Sequence, residues 1–305
     1  MTPARIGVLV MAYGTPASPG DVEAFYTDVR RGRPPSPEQL ADLKRRYDAV
    51  GGVSQLNART TEQVAGIQAA LEASSAGTFV CRYGAKHADP KLEETVRDFA
   101  RDGIERLVGL VLAPHYSAAS IGEYVERARA CARAEGIETR FVEDWHDNPV
   151  LIELLAARVR SALGTLRGTR ALLLVTAHSL PLRVVAGGGG YDVRLAETAA
   201  LVAEAVPTDD YEVCWQSAGR TPEPWIGPDV LDVLRRLKSE GREGVVVCPA
   251  GFVADHLEVN YDLDVEAKAL ADELGLGFAR TSSLNADEQL CTELARLVEQ
   301  ESSGW

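Results

Sequence analysis

Short, continuous apolar runs alternate along the chain with longer stretches in which apolar residues recur at helical spacing. Continuous apolar runs are typical of parallel strands that are covered on both faces, and strands that alternate with amphipathic helices favour an α/β fold. The predicted strands are residues 7–11, 80–84, 108–112, 139–142, 172–176, 213–217, 244–248 and 276–279. The predicted helices include residues 21–31, 37–50, 60–73, 91–102, 121–134 and 286–301.

The second half of the chain repeats the first half in the same order. Run 7–11 continues into Ala12-Tyr13-Gly14-Thr15-Pro16, and run 172–176 continues into Ala177-His178-Ser179-Leu180-Pro181. Later strands also match, and Asp89-Pro90 pairs with Thr221-Pro222. A repeat of about 135 to 165 residues predicts two similar domains and not a solenoid. We therefore expect two doubly wound domains with parallel sheets, at residues 1–150 and 151–305, with the last helix a candidate for packing on the first domain.

The two copies differ where a ligand would bind. Ligands of open parallel sheets bind outside the carboxyl ends of the strands. In the predicted sheets Tyr13, His178 and the loop 249–258 all lie at such an edge. The repeat therefore predicts a cleft with a phenol on one wall and an imidazole on the other.

Composition narrows the classes of function. Of 305 residues, 46% are hydrophobic and 25% charged, as in soluble globular proteins. A net charge of −13 argues against a nucleic-acid partner. No apolar stretch approaches the ~20 residues of a membrane span, and run 6–12 is short for a signal-peptide core, so we expect a cytoplasmic protein. The five cysteines are single, without a CxxC pair, which argues against a disulfide framework, a zinc ribbon or an iron–sulfur cluster.

One region of the acidic chain is basic. Between residues 26 and 47 six cationic side chains, Arg30, Arg31, Arg33, Lys44, Arg45 and Arg46, face three acidic ones. Guanidinium groups bind carboxylates and phosphates in bidentate geometry, and the following Gly51-Gly52-Val53-Ser54 offers backbone amides and a hydroxyl to the same anion. The region is either a docking site for a small anion or an ordinary solvated helix face.

An acidic row begins in the second copy at the predicted cleft. Glu258, Asp262 and Glu266 are four residues apart, a spacing that places carboxylates on one face of an α-helix. With His178 on the neighbouring strand end, the row is either a path for a divalent cation, including Mg²⁺ at an outer position, or an exposed acidic face. His87, His115 and His256 are expected to be structural.

Several of these segments resemble the ferrochelatase family. The family signature matches Val175-Thr176-Ala177-His178-Ser179-Leu180-Pro181 and continues to Tyr191, and further blocks match residues 215–217, 224–228 and 251–258. The similarity extends from about Ile6 to Val298, and Tyr13 is similar to the coproporphyrin-using branch. The run Gly187–Gly190 and Gln55 depart from the family pattern.

The resemblance implies a bilobal chelatase-like fold that inserts Fe²⁺ into coproporphyrin III, releases two protons and hands coproheme to the next enzyme of heme biosynthesis. It implies a monomer, with no iron–sulfur cluster and no cofactor beyond the substrate Fe²⁺. His178 is expected to take pyrrole protons as a neutral imidazole and to touch the iron, with Glu258 sharing the iron and Asp262 and Glu266 holding a hydrated cation. The family positions that contact porphyrin match Tyr13, Arg30, Arg46, Tyr47, Ser54 and Tyr124, with Arg31, Arg33 and Tyr191 as secondary candidates.

Other functions stay open. A related chelatase could take another divalent metal or another tetrapyrrole, such as protoporphyrin IX or sirohydrochlorin, because His plus carboxylate accepts several divalent ions. A non-catalytic heme-binding or metal-binding protein could share the fold. A hydrolase built on His178 and Ser179 is not expected, because no Gly-x-Ser-x-Gly elbow stands at a strand end.

Overall fold

The computed structural model describes residues 5–187, 189–206, 208, 210–219 and 221–305. The chain divides into two compact units. The first unit contains the chain up to Ala113, Ala119–Asp144 and Asn285–Trp305, and the second contains Pro114–Ala118 and Trp145–Leu284. This division differs from a single boundary at residue 150. Residues 114–118 belong to the second unit although they lie in the first half of the chain, and residues 285–305 belong to the first unit although they lie at the C-terminal end.

The first unit is a parallel sheet with helices between its strands. Its four strands lie in the order β2-β1-β3-β4. The elements in chain order are β1 (Ile6–Ala12), α1 (Val22–Val29), α2 (Pro37–Ala49), α3 (Leu56–Ser74), β2 (Phe79–Ala85), α4 (Leu92–Arg101), β3 (Arg106–Val111), α5 (Ile121–Ala134) and β4 (Glu138–Val142). Strand β1 is buried along its whole length, as a continuous apolar run predicts for a central parallel strand.

The second unit repeats this topology with strand order β6-β5-β7-β8. Its elements are α6 (Pro149–Thr165), β5 (Ala171–His178), α7 (Leu182–Ala186), α8 (Tyr191–Ala205), β6 (Tyr211–Gln216), α9 (Val230–Ser239), β7 (Gly244–Cys248), a π-helix (Val259–Ala267), α10 (Lys268–Leu274) and β8 (Gly277–Arg280). Two parallel sheets of equal strand order confirm the predicted α/β fold with an internal duplication. None of the described helices is long and apolar enough to cross a membrane.

The last helix, α11 (Glu288–Ser302), belongs to the first unit. Just before it, the backbone carbonyl of Asn285 accepts a hydrogen bond of 3.0 Å from Gln63 of α3. At the other end of α3, the Ser74 hydroxyl donates to Glu299 at 2.6 Å. These bonds hold α11 along α3.

Strand register shows which positions of the two copies correspond. Ala12 lies opposite Ala85, and Ala177 lies opposite Trp215. The Ala85 amide then donates to the Pro90 carbonyl at 2.7 Å, whereas the Trp215 amide donates to the Pro228 carbonyl at 2.9 Å. Tyr13 and His178 are therefore equivalent, as predicted.

The predicted pairing of Pro90 with Pro222 is wrong, because Pro228 takes that place. The loop after β6 is longer than its counterpart and turns back onto the segment that follows His178. There the Ile226 amide donates to Leu180 and the Leu182 amide donates to Pro224, each at 2.9 Å. The similar Xaa-Pro pairs in the sequence did not reveal this longer loop.

Helix geometry after Glu258 also differs from the prediction. The spacing of Glu258, Asp262 and Glu266 predicted an α-helix, but Val259–Ala267 forms a π-helix. A π-helix closes hydrogen bonds five residues apart and has a wider turn, and such turns are frequent at functional sites. The three carboxylates therefore do not follow the α-helical stack that their spacing predicted.

Candidate active site

His178 is the last residue of β5, and hydrogen bonds at Ser179 and at the His178 carbonyl fix its backbone. The Ser179 amide donates to the Gln216 carbonyl at 2.8 Å, and the Ser179 hydroxyl donates to the Ile226 carbonyl at 2.7 Å. Tyr191, a secondary candidate from the sequence, donates from its hydroxyl to the His178 carbonyl at 3.1 Å. Tyr191 therefore supports the backbone that carries the imidazole.

Glu258 lies beside His178, as predicted. The distance from His178 Nε2 to Glu258 Oε1 is 3.4 Å. The buried side chain of Gln216 links the two segments, since it donates to the Glu258 carbonyl at 3.3 Å and accepts from the Thr176 hydroxyl at 2.8 Å. One ion is within joint reach of the imidazole and the carboxylate.

The charge state of the pair depends on how each group changes the pKa of the other. His178 Nδ1 donates to the Ser179 carbonyl, so that Nε2 faces the carboxylate. Burial is the largest single influence and lowers the pKa of His178, but the charge and hydrogen bond of Glu258, together with Ser179 and Asp262, raise that pKa to about 9. Burial likewise raises the pKa of Glu258, and the imidazoles of His178 and His256 reverse this and hold that pKa far below its usual value. Both pKa shifts favour an imidazolium beside a carboxylate at pH 7 in the ligand-free pair.

The two outer carboxylates lie in different environments. Asp262 is buried and accepts a hydrogen bond from the Ser217 hydroxyl, whereas Glu266 is half-buried. Across the described ranges, no three His, Cys, Asp or Glu side chains are grouped so that they could hold one metal ion. The roles of Asp262 and Glu266 along a cation path therefore stay predictions.

His256, which was expected to be structural, contacts Glu258. Its Nε2 lies 3.4 Å from Glu258 Oε2, and its Nδ1 donates to the Ala254 carbonyl at 2.9 Å. The available signal was the His-Leu-Glu order just ahead of a helix.

In the first unit, Tyr13 follows β1, and the residue is 42% exposed. The ring packs against His87, with centroids 4.6 Å apart, and against Phe25 at 6.3 Å. His87 is held in turn by Asp28, whose carboxylate lies 2.7 Å from Nδ1. Packing against His87 and Phe25 therefore holds the Tyr13 phenol at the carboxyl end of the sheet.

The predicted arginines lie at or near the surface of the same unit. Arg30 is half-buried, packs over the Tyr26 ring at 5.6 Å and donates to the Arg33 carbonyl at 3.2 Å. Arg31 is 85% exposed, with its guanidinium 3.8 Å from Glu123, and Arg33 is exposed. Arg46 donates to Asp42 at 3.2 Å. Arg30, Arg31 and Arg33 thus keep accessible guanidinium groups.

Three other predicted porphyrin contacts are buried. Tyr47 shares a hydrogen bond of 3.1 Å with the Thr15 hydroxyl, and Ser54 accepts one of 3.2 Å from the Leu56 amide. Tyr124 lies under the ammonium of Lys86, which is 4.9 Å from the ring centroid. All three side chains lie beneath the surface that carries the arginines and contribute little exposed area to it. Their roles in porphyrin binding stay predictions.

A comparison with known proteins identifies the family. The model of a family described as ferrochelatase matches residues 5–302. The chain belongs to the ferrochelatase family.

Relatives within this family are similar over almost the whole chain. A coproporphyrin III ferrochelatase of Oceanobacillus iheyensis is 43% identical, covering 96% of this chain and 96% of its own. One of Anoxybacillus flavithermus is 44% identical with coverage of 96% and 95%, and one of Bacillus subtilis is 41% identical with 98% of both.

Solved structures share the fold of this ferrochelatase family member. SirB from Bacillus subtilis with Fe³⁺ has a TM-score of 0.59 at 12% identity, covering 98% of this chain and 96% of that chain. CbiX, described as the terminal enzyme for biosynthesis of siroheme in denitrifying bacteria, has a TM-score of 0.54 at 14% identity, with coverage of 98% and 100%. At these identities the likeness extends to the fold alone.

Two departures from the ferrochelatase pattern were noted in the sequence. Gln55 directly precedes α3 and accepts a hydrogen bond of 3.0 Å from Arg59 through its side chain. Of the run Gly187–Gly190, residue 188 lies outside the described residues, and Gly190 has a φ of +62° directly before α8. A left-handed φ favours glycine, which accounts for Gly190.

Proposed function

We propose that the protein inserts Fe²⁺ into coproporphyrin III and forms coproheme in heme biosynthesis. Relatives named coproporphyrin III ferrochelatase align over nearly the full length of the chain. The observation that carries the proposal is the His178–Glu258 pair, whose reactive atoms are 3.4 Å apart at the carboxyl end of β5. Insertion needs a proton acceptor and an oxygen ligand for a divalent cation, and this pair supplies both.

The proton balance defines the role of His178. The free porphyrin carries two pyrrole N–H protons, and both are released when Fe²⁺ takes their place. In the ligand-free protein Glu258 keeps His178 protonated. When Glu258 holds Fe²⁺, the cation offsets the negative charge that raises the pKa of His178, so the imidazole releases its proton to solvent. Nε2 then accepts the two pyrrole protons in turn and passes each to solvent.

Binding of the porphyrin is assigned to the first unit. Coproporphyrin III has four propionates, and Arg30, with Arg46, Arg31 and Arg33 as helpers, offers guanidinium groups of matching geometry. Their binding energy can hold the macrocycle in a bent form that exposes nitrogen lone pairs. Tyr47, Ser54 and Tyr124 support this surface from beneath.

The phenol of Tyr13 is proposed to contact iron in coproheme. Tyr13 is 42% exposed, its ring packs against His87, and it occupies the position equivalent to His178. Asp262 and Glu266 are proposed to hold a hydrated divalent cation farther along the acidic side, where Mg²⁺ is a second possible occupant. Hand-off of coproheme to the next enzyme, a monomeric state and a cytoplasmic location complete the proposal.

A panel of substrates tests the function. Purified protein is incubated without oxygen with coproporphyrin III, protoporphyrin IX or sirohydrochlorin, and with Fe²⁺ or Co²⁺, while absorption spectra follow metal insertion. The proposal expects the highest kcat/KM for Fe²⁺ with coproporphyrin III. A preference for sirohydrochlorin would assign the protein to another chelatase reaction, and binding without insertion would make it a carrier.

A further inference from the structure

Glu123 is a carboxylate within the surface that is assigned to an anionic porphyrin. It lies in the first turn of α5 and directly precedes Tyr124, a predicted porphyrin contact. Its neighbour Lys86 follows β2, and the Lys86 amide donates at 2.9 Å to the carbonyl of Ala12, the residue before Tyr13. A carboxylate at this place would repel propionates unless cations balance its charge.

Two cations approach the same oxygen of Glu123 in different ways. The ammonium of Lys86 lies 3.0 Å from Oε2, and its side chain is 7% exposed. The guanidinium of Arg31 lies 3.8 Å from the same oxygen, and its side chain is 85% exposed. A buried ammonium needs its counter-charge, whereas an exposed ion pair at this distance is no hydrogen bond and contributes little free energy. Lys86 is therefore the fixed partner of Glu123, and Arg31 is the partner that can leave.

The backbone at Arg31 is unusual for a side chain of this size. Helix α1 ends in a Schellman motif, in which the Gly32 amide donates to the Thr27 carbonyl at 2.9 Å. In the same motif the Arg31 amide donates to the Asp28 carbonyl at 2.8 Å. Arg31 occupies the left-handed position with a φ of +57°, where glycine is the preferred residue. A non-glycine residue in this region costs free energy, and such residues cluster at sites that bind ligands.

The charges of these three side chains suit one further anion. Burial raises the pKa of Glu123, but the hydrogen bond and the charge of Lys86 hold that pKa below its usual value, so Glu123 is ionised at pH 7. Two cations beside one carboxylate leave a single positive charge. That charge matches one propionate, and a guanidinium binds a carboxylate in bidentate geometry.

We propose that Glu123 sets the affinity for porphyrin as the resting partner of Arg31, which leaves Glu123 for one propionate when coproporphyrin III binds. This inference rests on the proposed function. Glu123 competes with the propionate for the same guanidinium, and Lys86 keeps the charge of Glu123 balanced after Arg31 has left. Return of Arg31 to Glu123 favours release of the product.

Equilibrium binding of metal-free coproporphyrin III, followed by fluorescence quenching without iron, tests the exchange. Glu123→Gln removes the competitor, so we expect the Kd to fall about two- to fivefold. Arg31→Gly removes the guanidinium, so we expect the Kd to rise about tenfold. In the Arg31→Gly background, Glu123→Gln should no longer lower the Kd, because the exchangeable cation is gone.

Two controls separate the exchange from general effects of charge and backbone. Glu143→Gln is the matched control, since the Glu143 side chain is 34% exposed and lies 3.7 Å from Arg129 of α5; it should leave the Kd unchanged. Arg31→Ala should raise the Kd as much as Arg31→Gly does. The melting temperature of Arg31→Gly should be the higher of the two, because glycine suits the left-handed position.

Nitrogen NMR of the Arg31 guanidinium in the wild type does not depend on the folding of a Glu123 variant. Its resonances, assigned by their absence from Arg31→Gly, should shift when metal-free coproporphyrin III is added. The proposal is overturned if Glu123→Gln binds no more tightly than the wild type, if it lowers the Kd equally with and without Arg31, or if the Arg31 resonances do not move. Iron insertion by the wild type is a separate readout, which persists if this inference alone fails and is absent if the proposed function fails.

Discussion

Replacing Glu258 by Gln should move the titration of His178 across neutral pH. The carboxylate is 3.4 Å from Nε2 and raises the pKa of His178 to about 9, against the lowering effect of burial. Without the carboxylate only burial and the weaker influences of Ser179 and Asp262 remain. We therefore expect the pKa of His178 to fall from about 9 in the wild type to near or below the ordinary value of about 6.5 in Glu258→Gln.

NMR titration of the imidazole resonances in metal-free, porphyrin-free protein measures this change, with His178→Gln for assignment. Glu197→Gln is the control, since it removes a carboxylate 2.8 Å from His146 and should leave His178 unchanged. Because the folded-state pKa is raised, the pair stabilises the fold fully below pH 6.5, and this stabilisation is lost as pH rises through about 9. Titration of His178 near 6.5 in both the wild type and Glu258→Gln would refute the electrostatic argument.

Three further predictions concern the first unit. Tyr13→Met should shift the absorption spectrum of bound coproheme and weaken its retention, and an unchanged spectrum would exclude a phenolate ligand. Arg30→Ala should raise the KM for coproporphyrin III about tenfold, and raise it less for a two-propionate porphyrin; equal KM values in mutant and wild type would remove Arg30 from binding. Burial raises the pKa of Asp28, but hydrogen bonds from Lys91 and His87 hold it below 3.8. The melting temperature of Asp28→Asn should therefore lie below that of the wild type at pH 7, with a gap that narrows below pH 3.8; a gap independent of pH would contradict this.

Local pattern was sufficient to predict much of the fold. Buried parallel strands need continuous apolar runs, so such runs predicted each of the eight strands found among the described residues. The repeat placed Tyr13 and His178 at equivalent positions. His178 and Glu258 were predicted as partners because each follows a strand at the same sheet edge, and the structure places them 3.4 Å apart.

The local pattern of hydrophobic and polar residues did not predict features that depend on long-range contacts. The passage of residues 114–118 into the second unit depends on tertiary packing and leaves no local periodicity. The π-helix has the composition of an α-helix and differs only in its hydrogen bonding. Predicting the raised pKa of His178 requires the distance between His178 and Glu258. Predicting the contact of His256 with Glu258 requires the residue at which the helix begins.

The initial rate of coproheme formation in the wild type and in His178→Ala is the most direct test of the central claim. Fe²⁺ and coproporphyrin III are mixed with each protein without oxygen, and porphyrin binding is measured separately by fluorescence quenching. The loss of the general base should lower kcat about 10²–10⁴-fold, while porphyrin affinity and the melting temperature stay close to those of the wild type. Equal rates in the two proteins would show that His178 does not take the pyrrole protons.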